Sequence, residues 1–111
     1  MKPTREEKIS RMLQKEFGDI FLLYAKKMQG VIISVSDVNV SPDFSLARVY
    51  LSIFPNEKAQ DVFSLINIDQ KSLRFELGKR IKDSLRIVPE ISFVLDDSLN
   101  YLEKIDNLLK K

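Results

Sequence analysis

Apolar residues recur at three- and four-residue spacing near the start of the chain, at Ile9, Met12, Leu13, Phe17, Ile20, Phe21, Tyr24 and Met28. That period marks one face of an α-helix. Pro3 and Thr4 suit its start, and Glu6 and Glu7 suit the positive end of its dipole. Gly30 suits its stop. A helix over residues 4–28 would be about 37 Å long, enough to span a domain of this size. Gly18 lies mid-helix at a cost of roughly 1 kcal/mol relative to alanine, which suggests a bend or a close contact.

The period then shortens to two. Val31, Ile33 and Val35 alternate on odd positions, and Val38 and Val40 on even ones. A change of phase around Ser36-Asp37 predicts a β-bulge. Ser41-Pro42-Asp43-Phe44-Ser45 reads as a turn. Ala47, Val49, Leu51 and Ile53 then alternate with Arg48, Tyr50, Ser52 and Phe54, so the two runs form a hairpin. Pro55-Asn56 ends it.

Helical spacing returns over residues 57–67, with Ala59, Val62, Phe63 and Ile66 on one side. Asn67 or Asp69 begins a longer basic helix, and Asn67 with Gln70 three residues on fits a capping box. Pro89 lacks an amide hydrogen and pushes Val88 into the extended region, so this helix is expected to end near Arg86. Ile91, Phe93 and Leu95 alternate in a third strand. Asp97 or Ser98 caps a last helix with Leu99, Leu102, Ile105, Leu108 and Leu109 on its apolar face. The order is α-β-β-α-α-β plus a C-terminal helix. It implies one α+β domain over residues 1–111, a three-stranded sheet with helices on one face, and neither repeat nor linker.

Composition narrows the chemistry. Of 111 residues 44% are apolar and 31% charged, which is ordinary for a folded domain. There is no cysteine, so disulfides and thiolate metal sites are excluded. There is no histidine, so the commonest general base and metal ligand are missing too. Glycines at 18, 30 and 78 cannot form a phosphate loop. The adjacent carboxylates Glu6-Glu7 and Asp96-Asp97 point to different sides in a helix or strand, so neither is a ready acid–base pair. A protein that is not an enzyme, and that holds no cofactor or metal, is expected. The N-terminus carries no signal-peptide pattern, and no apolar run approaches the ~20 residues of a membrane helix.

The net charge of +2 is unevenly spread. Residues 1–30 and 71–90 each carry +3, residues 31–70 carry −3 and residues 91–111 carry −1. Two positive segments around an acidic middle suggest a polyanionic partner, although a solvated face is the commoner meaning of any one such run. In the second segment, Leu73, Leu77, Ile81 and Leu85 form a core stripe at about 0°, 40°, 80° and 120°. Lys71, Lys82, Arg86 and Lys79 fall at about 160° to 240°, with Phe75 among them. Cations around an aromatic ring suit phosphates and stacked bases of single-stranded RNA. The competing reading has the lysines solvated and Phe75 packed under a neighbour. Arg74 falls inside the apolar stripe and is expected to snorkel or form a structural ion pair. Gly78 would admit a close-approaching backbone. Arg11 and Lys15, with Arg5 and Lys8, line one flank of the first helix and could support the same surface.

Three stretches carry a family resemblance. They are Ser41 to Ser52 (SPDFSLARVYLS), Leu73 to Ile81 (LRFELGKRI) and Leu85 to Phe93 (LRIVPEISF). Together with Asp96-Asp97-Ser98-Leu99 and Ile105-Asp106-Asn107-Leu108-Leu109, they resemble ribosome-binding factor A over nearly the whole chain. The resemblance implies a type II KH-like RNA-binding domain. It implies a cytoplasmic, monomeric assembly factor that binds the free 30S subunit and assists late maturation and 5′-end processing of 16S rRNA. On that reading Lys71, Phe75, Lys79, Lys82 and Arg86, supported by Arg11 and Lys15, would contact RNA. The family usually has Ala-x-Gly at the junction where this chain has Asp69-Gln70-Lys71, so Lys71 adds a cation there. The family's basic tail is reduced here to Lys110 and Lys111, and binding is expected to rest on the folded surface. The rival expectation is a protein–protein adaptor using the hairpin edge or a helix face, without direct RNA contact.

Overall fold

In the computed structural model, residues 4–85 and 87–96 are described. The elements are α1 (Arg5–Ala25), β1 (Ile32–Val40), β2 (Leu46–Phe54), α2 (Asn56–Ile68), α3 (Gln70–Ile81) and β3 (Glu90–Leu95). This α-β-β-α-α-β order is the one expected of a type II KH-like domain. The helix expected after Asp97 lies outside the described residues.

Thr4 caps α1, its hydroxyl accepting the Glu7 amide hydrogen at 3.1 Å. The helix buries Ile9, Leu13, Phe17, Ile20, Phe21 and Ala25 along one stripe. Gly18 marks no close contact: a Cβ there would meet nothing within 4 Å, and α1 runs through it. The chain turns at Gly30, whose φ of 72° is open to glycine without strain.

The sheet order is β1-β2-β3, with β1 antiparallel and β3 parallel to β2. The predicted bulge is present. Val35 pairs with Leu51 and Asp37 with Tyr50, which leaves Ser36 without a Cα partner. The extra residue returns Val38 to the buried face beside Ile33. Ser36 Oγ lies 3.2 Å from the Tyr50 carbonyl and 2.9 Å from an Asp96 carboxylate oxygen, joining the bulge to the end of β3.

The hairpin turn is organised by one carboxylate. Asp43 Oδ1 accepts from the Ser41 hydroxyl at 2.8 Å, the Ser45 hydroxyl at 2.7 Å and the Ser45 amide at 3.2 Å. Phe44 takes a left-handed φ of 60°, and its ring lies under the Arg5 guanidinium at 5.2 Å. Glu90 N–H donates to Ser45 O at 2.9 Å, so β3 starts from the same turn.

Ile33, Val38, Ala47, Val49, Leu51, Ile53, Ile91 and Phe93 cover one sheet face and are buried. The helices pack on that face through the α1 stripe, Ala59, Val62 and Ile66 of α2, and Leu73, Leu77 and Ile81 of α3. Among the described residues no polar or charged residue is buried.

Two boundary expectations are corrected. α3 ends at Ile81, not near Arg86. The Ser84 and Leu85 amides both donate to the Ile81 carbonyl, at 2.8 and 2.9 Å, and close the helix in a turn well before Pro89. The capping box is not formed either. Asn67 lies inside α2 and its amide donates to Phe63 O at 3.2 Å, while the Gln70 amide donates to Ile91 O.

Phe17→Ala removes a ring at the centre of this core and is expected to destabilise the fold by about 3–5 kcal/mol in urea unfolding. Hydrogen bonds from Ser45 and Ser41 hold the Asp43 carboxyl below its usual range. Its contribution to stability is therefore present above the ordinary carboxylate pKa of about 4 and is lost as pH falls through the lower folded value. Unfolding midpoints measured from pH 6 downward should decline less steeply for Asp43→Asn than for the natural chain.

Candidate nucleic-acid interface

α2 and α3 are separated by Asp69 alone, which accepts the Leu73 N–H at its carbonyl while its own N–H donates to Leu65 O, both at 3.0 Å. The Asp69 side chain does not cap α3. Its carboxylate accepts the Tyr24 hydroxyl at 2.7 Å, which ties the last turn of α1 to the bend between the helices. Burial, then the hydrogen bond and the charge of Asp69, push the Tyr24 hydroxyl well above its ordinary pKa.

Beyond the bend, the outer side of α3 faces the residues that lead into β3. The two walls enclose an open groove of about 870 Å³ lined by Lys71, Phe75 and Lys79 on one side and Ile87, Val88 and the exposed carboxylate of Glu90 on the other. Gln70 and Arg74 also line it; Arg74 donates to the backbone of the opposite wall and Gln70 to Ile91 O in β3. Phe75 is 67% exposed and Ile87 is 78% exposed, so the groove has two apolar lips in solvent. Lys79 Nζ stands 5.1 Å from the Phe75 ring centroid and 3.7 Å from Glu76 Oε2. That ion pair is solvent-exposed and contributes little. Lys71 pairs with no acid among the described residues.

The structure thus gathers three of the seven residues singled out in the sequence. Lys71, Phe75 and Lys79 share the groove, and Phe75 is exposed instead of packed under a neighbour. Lys82 is exposed at the C-terminal cap of α3, outside the groove lining. Arg86 lies outside the described residues. Arg11 lines a separate surface with Glu6, Glu7 and Asp37 along β1, and Lys15 is exposed one helical turn on.

Arg74 makes no ion pair among the described residues, contrary to the expectation from its place in the apolar stripe. Its Nε and Nη2 donate to the carbonyls of Pro89 at 3.0 Å and Val88 at 2.7 Å. Carbonyls satisfy a half-buried guanidinium without a second charge to desolvate. Gly78 admits a side chain, not a backbone: a Cβ there would sit 3.4 Å from Val88 Cγ2. Ile87 was missed in the sequence reading. The available signal was Pro89, which forces the preceding residues out of a helix and so out of the apolar stripe.

The family model for ribosome-binding factor A matches residues 5–109. The chain belongs to the ribosome-binding factor A family. Ribosome-binding factor A of Flavobacterium psychrophilum is 41% identical over 98% of this chain and 85% of that protein. The Staphylococcus carnosus protein of the same name is 36% identical over 99% of this chain and 95% of its own length. The crystal structure of ribosome-binding factor A from Thermus thermophilus superposes with a TM-score of 0.69 at 17% identity, covering 83% of this chain and 97% of that one. Among the described residues no helix is long and apolar enough to cross a membrane.

Tyr24→Phe removes the hydroxyl that holds Asp69 and should destabilise the fold by about 1 kcal/mol at neutral pH. Because the folded pKa is raised, the stabilisation is complete below the unfolded value of about 10 and is lost as pH rises toward the folded one. The difference in unfolding midpoint between the two proteins should therefore shrink above pH ~10.

Proposed function

We propose that this chain is an assembly factor for the small ribosomal subunit. It binds the free 30S particle through 16S rRNA and assists late maturation and 5′-end processing of that RNA, without catalysing a reaction. It works in the cytoplasm as a monomer and needs no cofactor. Membership of a family named for ribosome binding supports the partner. The absence of histidine and cysteine from the sequence supports a binding role over catalysis.

One observation carries the RNA reading: the groove sets two lysines around an exposed phenylalanine, opposite an exposed isoleucine. Lys71 and Lys79 neutralise phosphates, and Phe75 offers a face to an unpaired base. Lys82 extends the positive charge to the C-terminal cap of α3, Arg86 is a further cation of the same sequence segment, and Arg11 and Lys15 give a second, weaker contact along α1.

The test is co-sedimentation with free small subunits and with assembled ribosomes at two salt concentrations. The natural chain should travel with the free subunit and be released by salt. Lys71→Glu combined with Lys79→Glu should abolish association while leaving the unfolding transition in place. With short single-stranded RNA, replacing both lysines by alanine should reduce the slope of log K against log salt by about 1.4. Binding that survives nuclease and high salt would instead indicate a protein–protein adaptor.

A further inference from the structure

Arg74 is a cation in the groove that its neighbours keep from acting as one. Its guanidinium donates to the Val88 and Pro89 carbonyls, and Gln70, one helical turn earlier, donates to Ile91 O. Two carbonyls just before β3, of Val88 and Pro89, and one inside it, of Ile91, are thus held by two side chains of α3. The side chain of Val88, the first of these residues, packs over Gly78. Ile87, the outer lip, adjoins the first of them and is itself exposed.

We infer that Arg74 is a positioning residue for RNA: it fixes the Ile87–Val88 wall at its distance from Lys71, Phe75 and Lys79, and it does not contact phosphate. This rests on the reading of the groove as the RNA site. With the clamp closed the groove is preformed, and RNA meets both walls at once. With the clamp open the wall samples other positions and only a fraction of molecules can bind. A competent fraction of about one tenth lowers apparent affinity about tenfold. Phosphate charge is untouched, so the salt dependence stays as it was.

The experiment compares Arg74→Met, Arg74→Lys and Lys79→Ala with the natural chain, using a short single-stranded oligouridylate over a salt series. Arg74→Met should bind about tenfold more weakly at every salt concentration, with an unchanged slope. Arg74→Lys, which can still reach one carbonyl, should recover part of the loss. Lys79→Ala should flatten the slope by about 0.7.

A second readout needs no RNA. The Glu90 amide donates to Ser45 O at 2.9 Å, just beyond the clamped carbonyls. Its hydrogen exchange should quicken in Arg74→Met, and less so in Arg74→Lys, while buried amides of α1 keep their protection. A slope reduced in Arg74→Met as in Lys79→Ala would make Arg74 a phosphate ligand and overturn the inference. Unchanged affinity, or unchanged exchange at Glu90, would overturn it as well. If the natural chain binds no RNA, the RNA reading fails, and the exchange result alone reports whether Arg74 holds the wall. Should Arg74→Met fail to fold, the same comparisons are made with Arg74→Lys, and full retention of affinity and protection there counts against the inference.

Discussion

Phe93 meets two rings of α1 edge-on, Phe17 and Phe21, each with a centroid separation of 5.6 Å. α1 packs along β1, and Phe93 belongs to β3, the strand at the far side of the sheet. The three rings therefore fasten the first described element to the last described one across the strand between them. Edge-to-face pairs carry more than their buried area, and a fully buried phenylalanine removes more apolar surface from water than most side chains. Everything that faces the groove is built outward from this contact. α3 lies against α1 through the Arg80–Glu16 pair at 3.6 Å, and β3 presents its leading residues beside α3.

The groove itself departs from the rule that organises the core. Leu73, Leu77 and Ile81 bury one side of α3 completely or nearly so. Phe75 and Ile87 are large apolar residues left in water, Phe75 between Lys71 and Lys79 and Ile87 on the facing wall. A scattered exposed phenylalanine needs no explanation. Two such residues facing each other over a groove, with cations at one rim, form a surface suited to a flat, charged, amphipathic ligand.

Alternation and helical spacing foretold six elements because each buries one face only. The bulge at Ser36 was legible for the same reason: a single extra residue moves Val38 onto the face that Ile33 occupies. The end of α3 was not legible. Leu85 continues the stripe at four-residue spacing and still packs partly against the core, so periodicity runs past the point where the Ile81 carbonyl ends the helix. The partner of Arg74 was hidden as well. Its acceptors are backbone carbonyls on a segment distant in sequence, and carbonyls leave no trace in a residue pattern. Lys71, Phe75 and Lys79 could be grouped from helical angle alone, whereas the opposite wall at Ile87 and Val88 needed the tertiary structure.

Parallel pairing of β2 with β3 has a temporal consequence. An antiparallel hairpin closes through a short local loop, but β3 can join only after α2 and α3 have carried the chain back across the sheet. During synthesis, α1 and the β1–β2 hairpin leave the ribosome first and have partners in one another. The groove's second wall immediately precedes β3 and arrives with it. A growing chain thus has Lys71 and Lys79 on α3 before the facing wall is in place, and the groove takes its shape only when β3 joins the sheet.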